Sequence, residues 1–206
     1  LFTISYIISS LFCYIIDVTF PEFRVNKLTP KQINKEYKKM LPLCVLNTGI
    51  GYSSLCLIEN KLIDNDYENN NFFIVNFILW LVVTDFLFYF LHKLFHLKTL
   101  YRFHAIHHEY SYTFGMGAIY AHPLDFLATN IFPVSFPIVF FNIPTNHGNL
   151  ISLFATVYTV VISHGSFKSI SGRGHLIHHV KRKYNYGLFI FDRLLNTNNA
   201  NLKIKN

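Results

Sequence analysis

The chain has 206 residues, enough for one ordinary domain, but only 14% are charged while 51% are apolar, with 22 Phe and 13 Tyr. So little charge among long apolar runs excludes an ordinary soluble domain and points to lipid as the solvent. The net charge of +7 would admit nucleic acid as a partner, but the basic residues gather in a few connecting segments rather than over one soluble face, so none is expected.

The first apolar run, LFTISYIISSLFCYII (1–16), reaches Phe20 only by including Asp17. It starts at Leu1, without a preceding basic stretch or a clear small-residue cleavage site. A membrane anchor is therefore expected rather than a signal peptide, within a fragment or processed form of a longer chain. Residues 41–58 form a weaker run broken by Gly49 and Gly51. FFIVNFILWLVVTDFLFYFL (72–91) is the strongest, with a single carboxylate, Asp85. About 20 helical residues cross the hydrocarbon. Residues 126–143, interrupted by Pro133 and Pro137, and residues 149–163 flank the turn-rich PTNHGN (144–149). They predict a kinked or re-entrant hairpin. Cys13, Cys44 and Cys56 lack metal-type spacing and read as small buried hydrophobes. The Asn-rich stretches NDYENNN and NTNNANLKIKN read as solvated loop and frayed tail. The expected organisation is N-terminal anchoring helices over 1–71, a catalytic unit over 72–197 and a tail over 198–206.

The segments between these runs differ in charge. Residues 21–40 carry six Lys/Arg against two acids, 164–206 eight against one, and 92–125 three against two, whereas 59–71 carry one Lys against four acids. If every run crosses, the three basic segments share one side of the membrane. By the positive-inside rule that side is cytoplasmic. Ten of the eleven histidines then fall on the cytoplasmic face, and only His147 lies opposite.

The histidines carry the chemical signal. His92 and His96 continue the third helix at i and i+4. The word His-x-x-His-His occurs twice, as His104–His107–His108 and His175–His178–His179. Helical spacing puts the members of each word on one face, and neutral imidazole is a common metal ligand. With His164 the donors number nine, too many for one ion taking four to six, so two ions are expected. The Glu-x-x-His words of carboxylate-bridged bundles are absent, which makes the expected site almost wholly imidazole. His122, in HPLD, is open between a tenth metal or support residue and a plain turn residue beside Pro123 and Asp125.

The ordered series of Asp85, Tyr89, His92 and His96, then HAIHH, AHPLD, ISHGSF and finally HLIHH with YNYG and FDRL resembles the fatty acid hydroxylase/sterol desaturase superfamily over roughly residues 72–197. AHPLD and SHGSF look closest to its sterol C5-desaturase branch. Gly174 stands where members commonly have a histidine, and Leu176 and Ile177 replace an acid often found inside the last box. The resemblance implies an endoplasmic-reticulum membrane enzyme whose histidines hold two Fe ions. It further implies O2 as co-substrate and an external electron-donor protein such as cytochrome b5. Purified protein could carry zinc instead, because availability as well as geometry decides occupancy.

Supporting residues follow. Asp85, two turns before His92, is expected beside a ligand imidazole, with Asp125 and Asn185 also in support. Tyr184 to Gly187 match the family's NYG run and are expected to close the site, with Asp192 and Arg193 as a supporting pair. The basic run 181–183 reads as an anchor to anionic headgroups, or as a docking point for an acidic electron donor. The reading is thus an all-α, multi-span membrane bundle with a cytoplasmic histidine-rich metal site. It would desaturate or hydroxylate a membrane lipid, a sterol first and a fatty acyl, sphingolipid or alkyl-ether lipid second. No side chain performs that oxidation, so the metal centre carries it. The competing reading is a membrane protein that binds or carries Zn, Ni or Cu without catalysis.

Overall fold

The computed structural model describes residues 1–62, 72–167 and 173–199. Among the described residues the chain is helical, and its one β-type contact is an antiparallel bridge between Arg24 and Phe167. Four helices are long and apolar enough to cross a membrane: Phe2–Thr19, Pro30–Ile58, Phe73–Phe95 and Pro123–Phe140.

Helix α1 (Phe2–Thr19) shows why lipid is the solvent. Its buried face is Ser5, Tyr6, Ser9, Ser10, Cys13 and Asp17, while Ile4, Ile7, Ile8, Leu11, Phe12 and Ile15 are exposed. That is the reverse of a soluble amphipathic helix. Small residues let neighbouring helices approach, and the large ones face outward where lipid covers them. Exposed Ile74, Val75, Ile78, Val82, Phe86 and Phe90 continue the apolar outer surface along α3 (Phe73–Phe95). The protein is an integral membrane helical bundle.

Helix α2 (Pro30–Leu62) begins at a capping box. The Gln32 amide N–H donates to the Thr29 hydroxyl, and the Gln32 side-chain oxygen accepts from the Thr29 N–H at 2.8 Å. Pro30 stands in the first turn, where its missing N–H costs nothing. The 33 residues rise about 50 Å, more than the hydrocarbon needs. Residues 30–40, which the charge pattern assigned to a connecting segment, are thus the emergent end of this helix.

The predicted hairpin is present. Its outward arm is α5 (Pro123–Asp125), a π-helical stretch Phe126–Ile131 and α6 (Phe132–Phe140). Pro137 cannot donate to the carbonyl of Pro133, four residues back. The Thr84 hydroxyl of α3 donates to that carbonyl instead, at 3.0 Å, and Trp80 Nε1 donates to Val134 O beside it. The return arm is α7 (Thr145–Val157) and a second π-helical stretch, Tyr158–Ser163. It is not among the four helices apolar and long enough to span.

His147 opens α7 and meets the start of α3, with Nδ1 3.2 Å from the Asn76 amide and its ring edge-on to Phe73. His92 lies sixteen residues farther along α3, about 24 Å. The hairpin tip and the histidine boxes therefore occupy opposite ends of the bundle. Residues 63–71 of the predicted acidic segment, and 200–206 of the predicted tail, lie outside the described residues. Cys13 and Cys44 are buried in the core beside Tyr37, Met40 and Phe114, and all three cysteines are free thiols.

The N-terminal helices also hold part of the site. Asp17 is fully buried near the end of α1 and accepts from the Tyr37 hydroxyl at 2.9 Å and from the Ser166 hydroxyl. The Arg24 guanidinium donates to the backbone carbonyls of Asp17 and Leu28. The Val25 N–H donates to Ser166 O at 2.6 Å. These bonds fix HGSF (164–167) against the first 40 residues.

Candidate metal centre

Nine histidines converge at one end of the bundle. His92 lies in the last turn of α3 and His96 caps its end. Helix α4 (Tyr101–His104) stops on the first histidine of HAIHH, and a separate 3-10 turn, His107–Glu109, carries the other two. The predicted single helical face is therefore broken in the first word. In the second word it is intact, on α8 (Arg173–Lys181). His164 follows the π-helical stretch that ends the return arm.

The nine divide into two sets. His92, His96, His104, His108 and His178 form one and His107, His164, His175 and His179 the other, with each set's donor atoms within 4.8 Å of one another. Each word is split between them. HAIHH sends its i and i+4 members to the five-histidine group and its i+3 member, His107, across. HLIHH sends its i and i+4 members to the four-histidine group and its i+3 member, His178, across.

Hydrogen-bond chemistry then fixes the tautomers. A carbonyl oxygen can only accept, so a ring nitrogen bonded to one must carry the proton. His92 Nδ1 donates to Tyr186 O and His178 Nδ1 to Tyr184 O, both at 2.7 Å, and His104 Nδ1 donates to the Asp125 carboxylate at 2.8 Å. In the four-histidine group His164 Nδ1 donates to Thr159 O at 2.9 Å, His179 Nδ1 to Tyr110 O at 3.1 Å and His107 Nδ1 to Tyr120 O at 3.4 Å. Every one of these rings is left with a bare Nε2 lone pair.

Those lone pairs face each other. His92 Nε2 lies 3.0 Å from His104 Nε2, and His107 Nε2 lies 3.4 Å from His164 Nε2. No proton is available between the members of either pair, so each contact is repulsive unless a cation sits nearby. Protonation does not relieve it either. Burial pushes His96 down to about 4 and His164 to about 3, with neighbouring imidazoles adding to the shift. Burial likewise holds His104, His107, His108, His175, His178 and His179 below the usual histidine value. Neutral imidazole with a free Nε2 is the form that binds metal. The donor set fits a metal centre.

The surrounding residues divide between expectation and surprise. Asp125 stands where the sequence placed a supporting acid, and its other oxygen accepts from the Thr129 hydroxyl at 3.2 Å. Asp85, expected beside an imidazole, instead accepts the backbone N–H groups of Leu188 and Ile190 at 2.6 Å and of Phe191 at 3.3 Å. Asp192 does the same for Tyr186 and Gly187, at 2.9 and 2.7 Å, rather than pairing with exposed Arg193. Between them the two acids clamp the YNYG segment. The Asn185 side chain is bonded to backbone rather than to an imidazole; its amide donates to Gly174 O and Asn199 O, both at 2.9 Å. It adopts a left-handed φ of 57°, which Asn tolerates, and the flanking carbonyls of Tyr184 and Tyr186 reach His178 and His92. Gly187 is required sterically, since a Cβ there would lie 2.6 Å from Asp85 Oδ1.

His122 belongs to neither group. Its Nδ1 accepts the Leu124 N–H at 3.2 Å and caps α5, with its ring 4.9 Å from that of Phe103. In the basic run, the Arg182 guanidinium reaches back to His108 O at 3.4 Å and lies over the Tyr101 ring. Not anticipated from the sequence are the backbone carbonyls of Tyr110, Tyr120 and Thr159 that accept from the rings, the same role of the Tyr184 and Tyr186 carbonyls, and Asp17. Backbone acceptors leave no residue-type signal. Asp17 did leave one, as a lone carboxylate in an apolar run.

A cavity of about 300 Å³ opens onto the centre. His92, His104, His107, His164 and His175 line its metal end, and Phe77, Trp80, Leu81, Phe88, Val134 and Phe154 supply apolar walls. Thr84, Asn130, Tyr158 and Thr159 are among its polar groups, and Asp192, Arg193, Asn198 and Asn199 line it as well.

A family model, Fatty acid hydroxylase, matches residues 77–197, more than half of the chain and all nine clustered histidines. The chain belongs to the fatty acid hydroxylase family. This family member is similar to methylsterol monooxygenase 2-1 of Arabidopsis thaliana, 41% identical over 51 residues, 24% of this chain and 19% of that protein. Fatty acid hydroxylase domain-containing protein 2 of Homo sapiens is 28% identical over 134 residues, 62% of this chain and 39% of the relative. Very-long-chain aldehyde decarbonylase GL1-11 of Oryza sativa subsp. indica is 43% identical over 51 residues, 24% of this chain and 19% of its own. The chain thus spans well under half the length of these relatives. No solved structure matches it.

Proposed function

We propose that this chain is the catalytic part of a membrane-bound, O2-dependent di-iron lipid oxidoreductase acting on a sterol. The observation that carries the reading is the pair of facing bare Nε2 contacts, one in each histidine group, at the end of an apolar cavity. Each contact calls for its own cation, which supports two ions. Iron with O2 and two electrons from a donor such as cytochrome b5 would supply the oxidising power toward an unactivated C–H bond. The chain's own part is to hold and orient. Nine imidazoles present Nε2, the carbonyls of Tyr184 and Tyr186 and the Asp125 carboxylate keep three rings in register, and Phe88 and Leu81 keep water from the cavity. Asn130 and Thr159 are positioned to engage a polar group on an otherwise apolar substrate.

The sterol assignment draws support from the similarity to methylsterol monooxygenases. The aldehyde decarbonylase and the human relative keep a long-chain acyl or aldehyde lipid as a second reading. The basic segments support a cytosolic metal end, because Lys and Arg flanking the spans favour that side, and the family resemblance supports the endoplasmic reticulum as its membrane.

The test compares the sterols and fatty acids of cells with and without the gene, grown under 18O2. A methylsterol or unsaturated-sterol precursor should accumulate without the gene, with oxygen-dependent product restored by the intact chain but not by His107→Ala. An unchanged sterol profile alongside altered long-chain lipids moves the assignment to the second reading. Two bound metal ions with no oxygen-dependent product in any lipid class would leave a non-catalytic metal protein.

A further inference from the structure

A second and larger cavity, about 660 Å³, lies away from the histidines between α1 and α2. Its volume is in the range of ligand sites. Ile7 and Leu11 of α1 face Leu41 and Val45 of α2 across it. Both α1 residues and both α2 residues are exposed in the bundle, so the groove opens toward the bilayer.

One stripe of α2 lines its length. Asn34, Lys38, Leu41, Val45 and Thr48 are spaced four, three, four and three residues apart, and Lys31 falls one turn earlier on the same stripe. The stripe is cationic and polar for its first two turns and apolar afterwards. From Asn34 to Thr48 it rises about 21 Å, from the headgroup level to beyond the middle of a leaflet. At the polar end the Tyr14 hydroxyl donates to Asn34 Oδ1 at 2.7 Å, which leaves the Asn34 amide N–H groups as donors. Lys39, the neighbour on another face, is paired with Glu109. Among the described residues, Lys31 and Lys38 form no ion pair.

We propose that this groove binds one anionic glycerophospholipid, with its phosphate at Lys31, Asn34 and Lys38 and an acyl chain along Leu11, Leu41 and Val45. A cationic mouth over an apolar floor matches that amphiphile and no other bilayer component as well. Zwitterionic lipid lacks the net charge, and a sterol's single hydroxyl cannot engage two ammonium groups. The site is separate from the histidine centre, and its occupancy does not depend on the oxygenase reading.

Each lysine near the surface contributes about fivefold, so the pair gives roughly 25-fold preference for an anionic headgroup. The test uses the purified protein in phosphatidylcholine nanodiscs containing a minor fraction of spin-labelled phosphatidylserine or spin-labelled phosphatidylcholine. The motionally restricted label is counted per chain. About one phosphatidylserine per chain beyond the annular lipid, with roughly 25-fold selectivity over phosphatidylcholine, is expected. Lys31→Gln with Lys38→Gln should abolish the selectivity without disturbing the fold, since both side chains are exposed. Val45→Trp, which fills the groove, should remove the phosphatidylserine excess and leave the annular lipid on the outer faces unchanged. Equal affinity for the two lipids in the unmodified protein overturns the proposal. So does selectivity that survives the lysine changes, or an anionic excess over the annular lipid that survives Val45→Trp in protein whose helicity is unchanged.

Discussion

The two histidine groups are built from the same five-letter word, yet they are neither copies nor independent. The five-histidine group takes two i, i+4 pairs, from α3 and from HAIHH, plus one histidine from HLIHH. The four-histidine group takes the i, i+4 pair of HLIHH, one histidine from HAIHH and the solitary His164. A repeated word here is a cross-brace rather than a repeated site. Each i+3 histidine is the strut that ties one group to the other, so neither group is complete unless both segments are in place. Their supports differ as well. The first leans on the clamped 184–187 segment and on Asp125, and the second on carbonyls of Tyr110, Tyr120 and Thr159 and on a loop fastened to Asp17.

Removing the struts breaks the comparison most severely. His107→Ala takes one of four donors and leaves three, whereas His178→Ala takes one of five and leaves four. Metal content should therefore fall from about two ions per chain to about one in His107→Ala, and by less in His178→Ala. The double variant should hold less than about one ion per chain. Elemental analysis of the purified variants reads this directly, and equal losses in the two single variants would show that the division into five and four has no consequence for binding.

The clamp on the first group comes next. Gly187→Ala would drive a methyl group toward Asp85 Oδ1 and toward Asp192 and Tyr89. Overpacking of this kind costs about 1–3 kcal/mol, and the displaced segment carries the Tyr186 carbonyl away from His92. Thermal unfolding in detergent should show the loss, with the five-histidine ion released first on chelation. Retention of both stability and that ion would mean the carbonyl contacts do not hold the group together.

These cases mark what the sequence made legible. The nine histidines were found by spacing and by the family resemblance, because metal donors must be particular residue types. The spans and the hairpin were found because lipid exposure leaves long apolar runs. The division of each word was not, since i+3 and i+4 positions of one helix face are adjacent and only the approach of α3, α4 and α8 decides which partner each meets. Asp85 misled for a related reason. Its helical phase puts it near His92, but the acceptor was claimed by three backbone N–H groups from residues 188–191, a hundred positions away.

Acid should weaken both groups, by a smaller and more gradual effect. An unfolded imidazole titrates near 6.5, whereas burial holds His96 near 4 and His164 near 3 in the fold. Between those values the unfolded chain binds more protons, so folding stability is fully present above about pH 6.5 and is lost as pH falls toward 4. Chelator-treated protein should unfold at progressively lower temperature from pH 7 to pH 5, and metal-loaded protein should resist to lower pH because bound ions compete with protons. A transition temperature that is flat or rising on acidification would mean that the rings are not held neutral.

The smallest expected effect concerns His122, the histidine that lies beside the boxes yet joins neither group. It precedes Pro123 and caps α5 through Nδ1, and three residues later Asp125 carries His104. A cap is worth about 0.5–2 kcal/mol, so His122→Ala should lower stability slightly, while His122→Asn, with a side-chain oxygen able to accept the Leu124 N–H, should restore it. Neither change removes a converging Nε2, so metal content should match the unmodified protein in both. Two readings are thereby separated by one pair of variants. A cap is replaceable by Asn, whereas an imidazole donor in this all-nitrogen set is not. Metal lost equally from both variants, with stability unaffected by the choice of Ala or Asn, would make His122 a tenth donor and would require α5 to turn toward the centre when the ions bind.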